Sequence, residues 1–472
     1  MLLIPPFPQN EKRSNDYKVT LNGLPVEVYE ARVSAVPFNT EWPGHQRALD
    51  QTEMASFLSF AADESVELIV EPVRPFEEMV VRPLSRDIHP VINGTKIAFN
   101  IDKTGQYTLE LDGFHYALHI FVNPPANEEP IIQDGGTLYF GPGSHYPGII
   151  EMQDNQTIYM DAGAVVHTSI YARGKKNIRI TGYGILDNST FQREDSRCLG
   201  CPTSLTFHNC RNIEISGIII RDACSWAMTL FHCDNTFIDN IKMIGMWRYN
   251  SDGIDFVNSS NGIVQNSFLR NFDDAIVLKG LKEYDTRLVE NILVQGCVVW
   301  CDWGRALEIG AETCADEYRN IVFRDCDIIH TIHIAMDIQN GDRANVTDIL
   351  FENIRVEYSR HALPPIYQYT EDMTYPAELP PHIPVLFLAE SYCGRWSNDN
   401  LLGSIRHIKL RDIHVYLEEG LPLPEISLSG ASREHLTDDI EINGLYVNGV
   451  KIQSLKEANV NRNAFTSNVT LK

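Results

Sequence analysis

Two hydrophobic patterns divide the chain. Over residues 1–125, apolar and polar residues alternate in short runs: Tyr17–Leu21, Pro25–Tyr29, Val66–Val70, Lys96–Asn100, Tyr107–Leu111 and Leu118–Val122. A period of two puts one face of each run on a core and the other toward solvent. Asn22-Gly23, Asn93-Gly94 and Asp112-Gly113 supply turn chemistry between the runs. This predicts a small β-sandwich domain over 1–125. Pro124–Pro130, rich in proline and acid, reads as a linker.

From about residue 133 the pattern becomes an imperfect repeat, Asn-apolar-x-apolar-x-(Asn/Asp/Gly). The clearest copies are Asn177-Ile-Arg-Ile-Thr-Gly182, Asn212-Ile-Glu-Ile-Ser-Gly217, Asn291-Ile-Leu-Val-Gln-Gly296 and Asn320-Ile-Val-Phe-Arg-Asp325. Weaker copies start at Asn235, Asn261, Asp348, His407 and Asp439. An irregular period of this size fits coils of three short strands joined by turns of variable length. The predicted fold is therefore all-β, a right-handed parallel β-helix over 126–472 behind the N-terminal sandwich. Each strand pairs with its equivalent ~4.8 Å above. The repeated Asn suits a turn in left-handed conformation that hydrogen-bonds to the next coil. Single coils cannot bury themselves, so the stack folds as one unit.

Composition narrows the function classes. Asp and Glu number 63 against 39 Lys and Arg, a net charge of −24 over 472 residues. This argues against nucleic acid or an anionic membrane as partner. No apolar run reaches the length of a membrane span. The start, Met1–Pro8, lacks the basic leader of a signal peptide, so the expectation is a cytoplasmic protein if Met1 is the native start, and a secreted one otherwise. Of the ten Cys, Cys198 and Cys201 form one CxxC without the further ligands a structural zinc site needs. Cys210 and Cys233 share one offset from the repeat Asn, and Cys297 and Cys326 share another, which predicts stacked, buried columns.

The chemistry concentrates mid-repeat, at Asn250-Ser-Asp252-Gly253-Ile-Asp255 and, about one short coil later, Phe272-Asp273-Asp274-Ala-Ile-Val-Leu-Lys279-Gly280. Neighbouring rungs bring these carboxylates close together, and repulsion raises the pKa of at least one. A protonated acid beside an ionised base is what glycosidic bond hydrolysis requires. Gly304–Gly310, with Arg305, and Met336–Asn340, with Gln339, occupy the following rungs.

At these residues the chain resembles the pectin-lyase-like clan of glycoside hydrolases, above all family 28 (polygalacturonases and relatives). Asn250-Ser251-Asp252-Gly253 and Asp273-Asp274 match that family's Asn-Thr-Asp-Gly and Asp-Asp motifs in order and spacing. Gly135–Gly143 and Gly182–Asp187 resemble the family's first coils. The resemblance implies Asp273 as general acid, Asp252 and Asp274 as the pair that polarises the attacking water, and Asp255 as a supporting or sugar-binding residue. It also implies inversion, with carboxyls spaced ~6.5–9.5 Å to admit a water, and no metal or organic cofactor. Two positions depart from the pattern. Arg305 stands where the family has the His of Gly-His-Gly, and Asp337-Ile338-Gln339 replaces Arg-Ile-Lys. The segments Asn291–Trp300 and Asp325–His330 are similar to family 49, dextranase and isopullulanase, which takes neutral α-glucans.

The expected substrate is thus an oligo- or polysaccharide, pectin-related or neutral α-glucan. Lys279, Arg305, Gln339 and the aromatics Tyr249 and Trp303 are candidate substrate contacts beside Asp255. The segment Ser359–Asn400, rich in proline and aromatics, interrupts the repeat and is placed to wall off one end of a groove, favouring exo attack. Two other readings remain open on sequence: a polysaccharide lyase on the same fold, and a catalytically silent, carbohydrate-binding β-helix.

Overall fold

The computed structural model describes residues 1–40, 47–125, 136–192, 203–284 and 288–472. Cys198, Cys201, Gly135 and most of the expected linker lie outside the described residues. Among those described, no helix is long and apolar enough to cross a membrane.

The N-terminal part is a sandwich of two sheets. One contains Leu2–Leu3, Tyr29–Ser34, Thr52–Ala62, Met79–Arg82, Gly105–Leu111 and Leu118–Asn123; the other Tyr17–Leu21, Leu24–Val26, Val66–Pro72, Val91–Asn93 and Lys96–Ile101. Val19, Leu68 and Val70 from the second sheet meet Leu58, Phe60, Leu109 and Ile120 from the first in a closed core. The first sheet is not solvated on its other face. Tyr29, Phe57 and Phe121 pack there against Ile219, Phe268, Val298 and Trp300 of the following domain. Burying one such large side chain contributes ~1.5–3 kcal/mol, so the two domains form one body. Arg82 strengthens the join, bonding Glu110 at 2.8 Å and also reaching Glu357 across the boundary.

From Thr137 onward the chain winds into a parallel β-helix. Among the described residues it comprises a 22-stranded and an 11-stranded sheet, each coil hydrogen-bonded to the next. The expected repeat positions set the turns. Asn177, Asn212, Asn235, Asn261, Asn291 and Asn320 all have φ between 52° and 59°, as do Asp348, His407 and Asp439. Their side chains form a ladder: the Asn212 amide donates to Asn177 at 2.8 Å, and the Asn320 amide to Asn291 at 2.7 Å. Inside the coils Ile213, Phe256, Ile292 and Ile321 build one continuous core. Cys210, Cys233, Cys297 and Cys326 lie within it as buried thiols, in the stacked columns expected.

Candidate active site

Successive rungs of the 11-stranded sheet, Ile254–Val257, Ile276–Gly280, Arg305–Thr313 and Ile334–Asn340, place the acids. Strand alternation sends Ile254, Ile276, Leu307 and Met336 into the core. The opposite phase aligns Asp255, Val277, Glu308 and Asp337 in a row on the outer face. The turns leading into these strands carry the other acids. The Gly253 amide donates to the Asp274 carbonyl at 2.8 Å, and the Ala275 amide to the Arg305 carbonyl at 2.8 Å. Asp252, Asp274 and Arg305 are therefore rung equivalents, and Asp273 projects one residue earlier. The sequence spacing set the two acid segments on neighbouring rungs, and the register pairs Asp252 with Asp274.

The Asp273-Asp274 turn is tightly held. The Asn271 side-chain amide donates to both aspartate carbonyls, and the Cys301 thiol meets the Asp273 carbonyl at 3.1 Å. Gly304 passes so close that an added Cβ would lie 2.6 Å from the Asp274 nitrogen.

Two cations thread this acid group. The Lys279 ammonium sits 2.7 Å from Asp252, 3.3 Å from Asp255 and 3.7 Å from Asp274. Arg305 lies 3.4 Å from Asp274 and 3.7 Å from Asp337. The carboxyls separate accordingly. Burial pushes Asp273 well above the usual carboxylate range, and repulsion from Asp274 and Asp252 adds to it. Burial pushes its neighbour Asp274 the same way, but Arg305 and Lys279 outweigh it and hold Asp274 below that range. Asp252 is pushed up to about 6 by burial, against the pull of Lys279. Burial likewise drives Asp255 and Glu308 well above the usual range and Asp337 to about 7.

Asp252, Asp273 and Asp274 converge on one groove of about 320 Å³, with Lys279, Arg305 and Glu308. Asp273 keeps part of its surface open to it, while Asp252 and Asp274 are nearly covered. Tyr249 and Trp303 line the groove and pack on either side of Phe272, with ring centres 5.9 Å apart in each pair. The sandwich contributes Asn39 and Thr40, and the 359–400 insertion contributes Tyr367, Arg395 and Trp396. Ile366–Gln368 pairs with Phe38–Thr40, tying the insertion to the N-terminal domain.

Two candidate contacts fall elsewhere. Gln339 donates to Asp337 at 2.7 Å and accepts from Tyr392 at 3.1 Å, outside the groove lining. Asp255 is fully buried beneath Lys279 rather than facing the groove, so it supports the site from below. His330 and Trp300 belong to the domain interface, and His333 bonds the Trp303 carbonyl. A larger cleft of about 750 Å³, lined by Asp239, Asn266, Arg355 and Tyr416, opens between the domains away from the acid row.

The sequence reading gave no role to Glu308 or Arg47, and counted Trp226 only among the aromatics clustering near the acid rungs. Glu308 carries a signal in Ala306-Leu307-Glu308-Ile309, where a polar residue holds the outward phase of a strand. Trp226 lies under the Lys279 ammonium, 4.2 Å from the ring centre. Arg47 is fixed only by the packing of the sandwich on the helix, which no local pattern reveals.

Residues 142–367 match the family model of glycosyl hydrolases family 28. Polygalacturonase QRT2 of Arabidopsis thaliana is 26% identical over 221 residues, 44% of this chain and 47% of the relative. The chain thus spans about half the length of that relative. Dex49A from Penicillium minioluteum shares the fold with a TM-score of 0.67 at 14% identity, covering 100% of this chain and 96% of the other. A hyperthermoactive exopolygalacturonase from Thermotoga maritima aligns with a TM-score of 0.51 at 18% identity, over 71% of this chain and 84% of the other. Those identities speak for fold alone. The coils that carry the acid row lie within residues 142–367, the stretch that matches the model of glycosyl hydrolases family 28.

Proposed function

We propose that the protein is an inverting glycoside hydrolase acting on pectin-related oligosaccharides. The observation that carries this is the contrast between Asp273 and Asp274, adjacent in sequence and oppositely shifted. Asp273, held protonated by its surroundings, gives its proton to the glycosidic oxygen as the bond to the anomeric carbon breaks. Asp274, kept ionised by Arg305 and Lys279, acts with Asp252 to draw a proton from a water that attacks the opposite face of that carbon. Water is consumed, the leaving sugar departs as an alcohol, and the anomeric configuration inverts. Lys279 occupies the centre of Asp252, Asp255 and Asp274, so the cation these acids share is a side chain.

The insertion supports exo action. Tyr367, Arg395 and Trp396 wall one side of the groove, and the strand carrying Tyr367 is pinned to the sandwich. Aromatic faces at these positions suit the apolar faces of sugar rings.

The test is turnover of pectic oligosaccharides, with NMR of the first-formed anomer. Asp273→Asn should lose roughly 10²–10⁴-fold in kcat at an unchanged unfolding temperature. Retained anomeric configuration, an unsaturated product, or near wild-type turnover in the variant each contradicts the reading. Release of single units from chain ends supports exo action; a spread of lengths contradicts it.

A further inference from the structure

We propose that Glu308 is a positioning residue for the base: it lies beside Asp274 as a neutral carboxylic acid and donates a hydrogen bond to that carboxylate. This rests on the hydrolase reading above and adds to the site a residue that lies outside both acid motifs.

Strand alternation puts Glu308 on the outer face of Arg305–Thr313, in line with Val277 on the rung before and Asp337 on the rung after. It lines the same groove as Asp274, yet it is fully buried. Neither of its carboxyl oxygens has a hydrogen-bond donor. Among the described residues, the ion pairs of Arg305 run to Asp274 and Asp337, those of Lys279 run to Asp252, Asp255 and Asp274, and none reaches Glu308. A buried carboxylate with neither donor nor cation in contact is uncompensated, and such a group takes up a proton instead. Burial is the main cause here, and the charge of Asp274 adds to it against the pull of Arg305. The titratable groups around Glu308 are Asp274 and Lys279 from the preceding coil, Arg305 on its own strand, Asp337 from the following one and Tyr392 after Val385–Ser391.

Protonation turns Glu308 from an acceptor without donors into a donor that needs an acceptor. Asp274 supplies one. Arg305 meets Asp274 at a single oxygen, by long bonds of 3.3 Å from its amide and 3.4 Å from its guanidinium, and Lys279 stays 3.7 Å from the other oxygen. The cationic contacts of this nearly covered carboxylate are thus all long. A hydrogen bond from Glu308 joins Arg305 and Lys279 in holding Asp274 below the usual carboxylate range. The proton stays on Glu308, because moving it to Asp274 would discharge the base. A neutral donor fixes the orientation of Asp274 without adding charge to the groove, and leaves the remaining lone pairs for the attacking water. Glu308 is covered, so it acts through Asp274 and does not touch the sugar.

The experiment sets wild type beside Glu308→Gln, which keeps a donor at the same length, and Glu308→Met, which keeps the length without a donor. Turnover of pectic oligosaccharides and thermal unfolding are measured on all three, with infrared difference spectra of wild type against Glu308→Gln at neutral pH. The difference spectrum should show the carbonyl stretch of one protonated carboxylic acid. Glu308→Met should lose roughly ten- to a hundredfold in kcat, the weight of one hydrogen bond to a charged group, with KM little changed. Glu308→Gln should recover most of that loss. Absence of the acid carbonyl band overturns the inference whatever the kinetics. A glutamine variant as slow as the methionine variant, or a methionine variant as fast as wild type, overturns it too, and hydrolysis stands in each case. Where the methionine variant does not fold, a glutamine variant slowed by more than about tenfold overturns the inference by itself. The band present, with no turnover of any oligomer by folded wild type, overturns the hydrolase reading and the positioning role with it.

Discussion

The guanidinium of Arg47 lies 4.1 Å from the centre of the Phe272 ring, and Phe272 immediately precedes Asp273. Arg47 is anchored by donating to the Trp247 carbonyl at 2.9 Å and to the Ser34 hydroxyl at 2.8 Å. The N-terminal domain therefore braces the acid turn from behind, through the aromatic ring that Tyr249 and Trp303 flank. Replacing Arg47 with Met keeps most of the apolar stem and removes the anchors and the cation–π contact. We expect about 1–3 kcal/mol of lost stability from the orphaned groups and a fall in kcat of about tenfold or more as the turn loosens. Thermal unfolding and steady-state kinetics on the same preparation check both. An unchanged kcat would show that the brace serves folding only.

Gly304 controls the same turn from the other side. A Cβ there would lie 2.6 Å from both the Asp273 carbonyl carbon and the Asp274 nitrogen. These are backbone atoms without a free rotation to escape by, so Gly304→Ala must move the carboxyl pair itself. Displacing a catalytic group by about 1 Å costs on the order of 10²-fold. The expected signature is a kcat lowered by roughly that factor, with KM changed far less. Equal activity in the alanine variant would place the reacting carboxyls elsewhere.

The pH dependence follows from the opposed shifts. On the proposed mechanism, turnover needs Asp252 and Asp274 ionised and Asp273 protonated. Asp274 is already held below the usual range, so the acid limb of kcat/KM falls to Asp252, near pH 6. The alkaline limb reports loss of the Asp273 proton. Lys279 stabilises the ionised form of Asp252 at 2.7 Å. Removing that cation raises the Asp252 pKa further, so Lys279→Gln should move the acid limb to higher pH by about one unit or more. A limb that stays in place, or moves down, would mean another group sets it.

Much of this was legible in the sequence, for physical reasons that differ by region. The β-helix announces itself because each coil repeats one backbone requirement, a left-handed residue at the turn, which Asn meets at six of the repeat positions and Asp348, His407 and Asp439 at the others. The acid segments are visible because burying so many carboxylates together is costly and therefore rare. What stayed hidden depends on contacts between distant segments. Thr52–Ala62 was missed as a strand because its sheet is covered on both faces, which erases alternation; Tyr29–Ser34 does alternate, and the expected run Pro25–Tyr29 stopped where that strand begins. Gln339 was expected at the substrate, but its amide is taken up by Asp337 and Tyr392. Spacing alone put the two acid segments on neighbouring rungs; that Asp274 rather than Asp273 is the rung equivalent of Asp252 is set by the backbone bonds of Gly253 and Ala275.

The Asn ladder supplies a prediction about stability alone. Asn291 has φ of 59°, donates to Asn261 at 2.8 Å and accepts from Asn320 at 2.7 Å. Alanine there keeps the unfavourable left-handed backbone and deletes two ladder bonds, whereas glycine deletes the bonds but adopts that backbone freely. The left-handed conformation costs an L-residue roughly 1–2 kcal/mol, and each exposed ladder bond contributes about 0.5–1.5 kcal/mol. Asn291→Ala should therefore unfold at a lower denaturant concentration than Asn291→Gly, with wild type above both. Because Asn291 lies on the far side of the coil from the acid row, kcat should be unaffected in either variant. A glycine variant less stable than the alanine variant would show that the cost lies in backbone flexibility rather than in the turn's handedness.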